Sequence, residues 1–178
     1  MIMKKIIPIL LLLSARLYST NESSVNNNGS FTENKGQIID VLGQPRPDIF
    51  FVAEQPGMKI YFRKTGISYV LIKNKNENNT DHSANGQQEN LLGHRIDMDF
   101  VNSNNHLQII SQREVTGGNN YYYDHCPQGI KDVKSFEKII YKNVFPKIDL
   151  VFYTSQNKGL KYDVVVNPGG NPSDIAFK

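Results

Sequence analysis

The sequence predicts an all-β domain with an antiparallel β-sandwich-like fold, and three observations lead there. Short runs in which apolar and polar residues alternate recur about every ten residues. Each run is bounded by Gly, Pro, Asn or Asp, and no segment joins a helix cap at one end to Gly or Pro beyond the other. The two strongest runs, IDLVFY and LKYDVVV, face each other across a polar segment from Thr154 to Gly159, as a β-hairpin requires.

Residues 1–19, MIMKKIIPILLLLSARLYS, read as a secretory signal peptide. Lys4 and Lys5 form its basic head and Ile6 to Leu13 its apolar run, and Ala15 or Ser19 supplies the small residue before the cut. The apolar run is shorter than the ~20 residues of a membrane span, so no membrane span is expected. Residues 20–30, TNESSVNNNGS, have neither period nor apolar content and are expected to be a flexible leader. One β-sandwich-like domain is then expected over residues 31–178.

Phe31 anchors the first ordered segment, FTENKGQ, and Pro45 and Pro47 bend the chain. A short strand from Asp48 to Glu54 leads to a turn at Gln55-Pro56-Gly57. In MKIYFRK, Met58, Ile60 and Phe62 share one face while Lys59, Tyr61 and Arg63 take the other. Thr65-Gly66 is expected at the centre of the tight turn into ISYVLIK, because Gly tolerates positive φ. Residues 73–94 are polar and Asn-rich, too poor in apolar surface to offset the entropy of ordering, and read as a long exposed loop. RIDMDFVN then puts Ile96, Met98 and Phe100 inward and Asp97 and Asp99 outward.

LQIISQREV gives a further strand, broken at Gly117 to Asn120; three tyrosines follow, and DHCPQG reads as a turn. In VKSFEKIIYKNVF, Phe136, Ile139, Ile140 and Tyr141 suit either period, and the Ile, Val, Phe and Tyr content favours a strand, with a bend from Asn143 to Pro146. The terminal hairpin sets Ile148, Leu150 and Phe152 against Leu160, Tyr162, Val164 and Val166. Asn167 to Pro172 ends it, and Asp174 to Lys178 begins a new strand, so the domain is expected to be incomplete at its C-terminus.

The chain carries 20 Lys and Arg against 17 Asp and Glu, but Lys4, Lys5 and Arg16 lie in the signal segment, which leaves 17 against 17. The basic residues from Lys131 to Lys147 are interleaved with Asp132, Glu137 and apolar side chains, so no nucleic-acid partner is expected. Cys126 is the only cysteine, which excludes an internal disulfide, and it reads as a small buried hydrophobe.

Candidate chemistry is thin. Asp97 and Asp99 lie roughly 7 Å apart on one strand face, a separation suited to paired acids and equally to a solvated strand; Asp149 and Asp163 across the terminal hairpin read the same way. His82, His94, His106 and His125 have no metal-ligand spacing, and His125 and Cys126, adjacent on an extended chain, point apart. No catalytic, cofactor-binding or metal-ligating residue is therefore expected, and no cofactor. Tyr121 and Tyr123 remain as candidates for ligand contact, since exposed rings can stack on sugars; alternation puts both on one face with Tyr122 on the other, so one or two of the rings read equally as core or sheet-packing residues.

Several motifs together resemble a known family. They are F-x-x-N-x-G-Q (Phe31 to Gln37), PGMKIYF (Pro56 to Phe62), NYY (Asn120 to Tyr122), YKNVFPKIDLVFY (Tyr141 to Tyr153) and LKYDVVVNPGGNP (Leu160 to Pro172). The chain resembles the N-terminal domain of bacterial SBBP-repeat proteins, large exported proteins in which such a domain precedes β-propeller-type repeats. The family pattern has Gly where Lys147 stands, and a longer domain after the last motif. The resemblance implies a secreted or cell-surface protein, truncated before its repeats, and transfers no functional residue. The expected function is a non-catalytic structural or interaction module, serving adhesion, whose partner the sequence does not name, surface glycans and other cell-surface proteins being the candidates. The alternatives are a carbohydrate-binding β-sandwich module and a hydrolase.

Overall fold

The computed structural model describes residues 4–5, 29–74, 91–104, 107–155 and 159–178. The strands are β1 (Lys4–Lys5), β2 (Phe31–Glu33), β3 (Ile49–Gln55), β4 (Met58–Arg63), β5 (Gly66–Asn74), β6 (Leu91–Asp99), β7 (Gln108–Glu114), β8 (Asn119–Tyr123), β9 (Cys126–Val133), β10 (Ser135–Phe145), β11 (Ile148–Ser155) and β12 (Gly159–Val166). A single 3-10 turn at Pro172–Asp174 is the only helical element among the described residues. The expected signal segment lies outside the described residues except for Lys4 and Lys5, which pair with Val165 and Val164 on the edge of β12.

The strands form one antiparallel sheet in the order β1-β12-β11-β10-β2-β3-β4-β5-β6, with β7 also on β10 and β8–β9 apart as a hairpin. The result is an all-β, sandwich-like domain curled into a half-barrel. Strand β10 makes the curl: Phe136 pairs with Glu114 on one side and Phe31 on the other, so β2 shares an edge of β10 with β11. One half of the sheet folds over the other, and the face between them is dry.

That dry face is where the alternation points. Phe31, Ala53, Ile60, Phe62, Ile67, Ile139, Tyr141, Ile148, Leu150, Phe152 and Val164 are all buried in one cluster. Their rings meet edge to face: Phe31–Phe62 at 5.2 Å, Phe62–Phe152 at 5.2 Å, Phe152–Tyr141 at 5.7 Å and Tyr141–Phe100 at 5.5 Å between centroids. The Tyr141 hydroxyl donates to the Arg63 carbonyl at 2.9 Å, which satisfies the polar tip inside the core. Burial pushes that hydroxyl's pKa well above its ordinary value.

Several expectations need correction. The β4–β5 turn centres on Lys64-Thr65, since Arg63 pairs with Gly66. Gly66 is a strand residue, and its bareness has another cause: a β-carbon there would run into the Met98 carbonyl oxygen. Strands β5 and β6 extend into the expected 73–94 loop as far as Asn74 and from Leu91, and the rest of that segment lies outside the described residues. Ile96 does point to the core side but is 56% exposed, because β6 is the sheet edge. DHCPQG is a turn only at Asp124-His125; Cys126 opens β9 and is half-buried rather than buried. The new strand expected at the C-terminus reduces to a bridge of Phe177 to Phe100.

The bend expected at Asn143 to Pro146 is two features. Asn143, at φ 51°, makes a bulge within β10, and Pro146-Lys147 form the turn into β11, with Lys147 at φ 58°. Pro followed by a positive φ is the demand of a type II turn, which favours Gly at its second central position. Lys147 therefore stores backbone strain of about 1–2 kcal/mol. Lys147→Gly is expected to raise stability by about 0.5–1 kcal/mol after the entropy of the more flexible unfolded chain is subtracted; an unchanged or lower urea midpoint would contradict this. Phe62→Ala, which breaks the ring series between Phe31 and Phe152, is expected to cost about 3–5 kcal/mol in the same measurement.

Candidate functional site

Because Ile60 and Phe62 point inward, Lys59, Tyr61 and Arg63 must point out, and the cross-strand register sets their neighbours. On this outer face Val52 lies opposite Tyr61 and Glu54 opposite Lys59. Ser68 stands between Tyr61 and Asp97, and Gly66 between Arg63 and Asp99. With no side chain at Gly66 to block it, the Arg63 guanidinium reaches Asp99 at 2.7 Å and Asp97 at 3.5 Å.

The β8–β9 hairpin lies over the same face. Lys35 Nζ ties it down by donating to the carbonyls of Lys131 (2.9 Å) and Asp132 (3.3 Å). Gly129, at φ 76°, sits beneath the Tyr122 ring, where any β-carbon would collide with it. Tyr122 is thereby held on the solvent side, 62% exposed. Its neighbours face the sheet: Tyr121 and Tyr123 stand 5.8 Å apart with rings tilted by 32°, and His125 stacks on Tyr123 at 5.3 Å and 14°. Tyr121 is half-buried and Tyr123 is 46% exposed.

Between hairpin and sheet runs a groove of about 210 Å³, lined by Tyr61, Tyr121, Tyr123, Val52, Glu54 and Lys59. Glu54 and Lys59 pair at 2.9 Å and also border a second hollow of about 310 Å³ beside Gln55, Gly57, Met58 and Ile72. Burial works against the charge on Lys59, but the hydrogen bond and charge of Glu54 outweigh it, so the ammonium pKa lies above its ordinary value. Burial likewise pushes the Tyr121 hydroxyl pKa up. This arrangement offers rings, one donor–acceptor pair and no net charge.

The structure thus brings Tyr121 and Tyr123 together, as alternation anticipated. Sequence reading missed Tyr61, Glu54, Lys59 and His125; the outward positions of the MKIYFRK alternation were the available signal for Tyr61 and Lys59. The acids are occupied elsewhere. Asp97 accepts from Ser68 Oγ at 2.6 Å and Arg95 Nε at 2.9 Å, and although burial would raise its pKa, these bonds and the charges of Arg95 and Arg63 lower it. Asp149 pairs with Val165 and Asp163 with Val151, so the two do not face each other. Asp163 accepts from the Tyr153 hydroxyl at 3.3 Å. Asp149, outward by alternation, is only 4% exposed and accepts from Lys142 Nζ at 2.6 Å, the Asn143 N–H at 2.8 Å and Asn167 Nδ2 at 3.3 Å.

His94 is exposed in β6, and His82 and His106 lie outside the described residues. No three His, Cys, Asp or Glu among the described residues gather to hold a metal ion. No helix among them is long and apolar enough to cross a membrane.

Residues 31–178 match the family described as a domain of unknown function, DUF7948, and the chain belongs to that family. Neither the curated proteins nor the solved structures contain a match.

Burial tends to raise the Asp149 pKa, but the bonds from Asn143, Lys142 and Asn167 prevail and hold it below the ordinary value. A carboxylate depressed in the folded state contributes stability that is complete above its unfolded pKa of about 4 and fades as pH falls through the folded value. Asp149→Asn is expected to cost about 1–3 kcal/mol near neutral pH, and to lose less further stability than the parent on acidification below about pH 4. Parallel urea titrations would check both; equal acid sensitivity in the two proteins would remove Asp149 from the account.

Proposed function

We propose that this chain is a non-catalytic, exported structural and interaction module at the N-terminus of a larger bacterial surface or secreted protein. The observation that carries the reading is the tyrosine groove on the outer face of β3–β4, walled on its other side by Tyr121 and Tyr123 of β8. Pre-formed recesses with a few convergent polar groups are where ligands bind. The ion pairs of Asp97 and Asp149 fit the same reading, because paired carboxylates with lowered pKa values are poorly suited to deliver protons.

Export rests on the basic, apolar and small-residue order of the first 19 residues, and the surface context on the resemblance to SBBP-repeat proteins. The partner binds at the groove, and the rest of the sheet serves as its rigid support.

The export half is tested by expressing the full chain in a bacterium and sequencing the N-terminus of the product outside the cytoplasm. Cleavage near Ala15 or Ser19 is expected, with Phe31 retained. An uncut chain confined to the cytoplasm would refute it.

A further inference from the structure

Building on that reading of an interaction module, we infer that the groove between β8 and β3–β4 binds a neutral oligosaccharide, with Tyr121 and Tyr123 as its stacking platform. A sugar ring has an apolar C–H face and a rim of hydroxyls. Its recognition therefore needs aromatic surface flanked by both donors and acceptors. The groove places them in that order.

The rings are held before any ligand arrives. Tyr123 is steadied by His125, stacked on it at 5.3 Å, and by the tilted ring of Tyr121 at 5.8 Å, so little side-chain freedom is lost on binding. Among the described residues the tyrosine hydroxyls that hydrogen-bond within the protein are those of Tyr141 and Tyr153, which leaves the hydroxyls of Tyr61, Tyr121 and Tyr123 available to a ligand.

Glu54 and Lys59 supply the polar edge. Their 2.9 Å contact occupies one carboxylate oxygen and one of the three ammonium N–H groups, and the rest suit hydroxyl groups. Since the two charges cancel, an acidic sugar gains nothing there and a neutral one loses nothing. The hollow beyond the ion pair, bordered by Gln55, Met58 and Ile72, gives room for a second sugar unit. A proline-rich peptide, the other familiar guest of tyrosine grooves, would bring ring carbons and carbonyls but fewer donors for Glu54, since proline carries no N–H.

The purified chain is to be screened on an array of neutral glycans, with polygalacturonate and a proline-rich peptide alongside, and hits measured by titration calorimetry. Binding of a neutral glycan is expected, little changed by added salt because the ligand is uncharged. Tyr123→Ala is expected to weaken it roughly tenfold and Glu54→Gln to weaken it too, while Tyr122→Ala, on the opposite face, leaves it unchanged. No neutral glycan bound, binding indifferent to both Tyr123→Ala and Glu54→Gln, or binding only of polygalacturonate or of the peptide would each overturn the inference. The measurement is made on purified protein, so its failure is separable from a failure of export in cells.

Discussion

The edge-to-face series Phe31–Phe62–Phe152–Tyr141–Phe100 is the constraint on which the rest of the molecule depends. It joins β2, β4, β11 and β10 to the residue that follows β6, segments far apart in the chain, so no two neighbouring strands could satisfy it alone. Each such ring pair adds about 0.5–1.5 kcal/mol beyond its area burial and fixes an orientation that aliphatic packing would leave looser. A strand slipped by one residue would remove its ring from the series and expose it to water.

Because that series fixes which side chains point in, it also decides what the outer face presents. With Ile60 and Phe62 inside, Lys59, Tyr61 and Arg63 can only be outside, and register then distributes them into two regions with different chemistry. Toward Asp99, the bare Gly66 lets Arg63 bridge two strands and settle two carboxylates. Toward the β3–β4 turn, Glu54 and Lys59 neutralise each other and leave Tyr61 to meet the rings of β8. Charge is quenched at both ends for structural reasons, and what remains distinctive is aromatic. The functional reading follows from this division.

The fold was largely legible in the sequence because antiparallel strands with one dry face repeat with period two, and MKIYFR and IDLVFY keep that period without interruption. Elements that borrow their order from elsewhere were not. Strand β9 begins Cys-Pro-Gln-Gly, which has the local chemistry of a turn; it joins the hairpin through a bulge, with Gly129 at φ 76°, because β8 pairs with it at Cys126 and Ile130 and Lys35 bonds the carbonyls of Lys131 and Asp132 beyond. Gly66 looked like a turn glycine, yet its reason is the closeness of the Met98 carbonyl on the next strand. Of the groove, the sequence disclosed only the Tyr121 and Tyr123 face, since the opposite wall comes from residues some sixty positions earlier in the chain.

Asp149 shows how far alternation can mislead. Its position in β11 puts it on the side away from the core, where a carboxylate should be solvated, yet it is nearly as buried as the rings. The cause lies in the opposite strand. Asn143 adopts φ 51°, a conformation Asn tolerates better than most residues, and the bulge this makes turns its N–H onto the carboxylate at 2.8 Å. Lys142 and Asn167 close over the remaining oxygen. A bulge lacking this acceptor would leave the Asn143 N–H without this partner, and a buried carboxylate lacking the bulge would keep only two donors. Bulge and acid are therefore one device, and the pair anchors the turn at Lys147 from which the terminal hairpin, with Phe152 in it, enters the core.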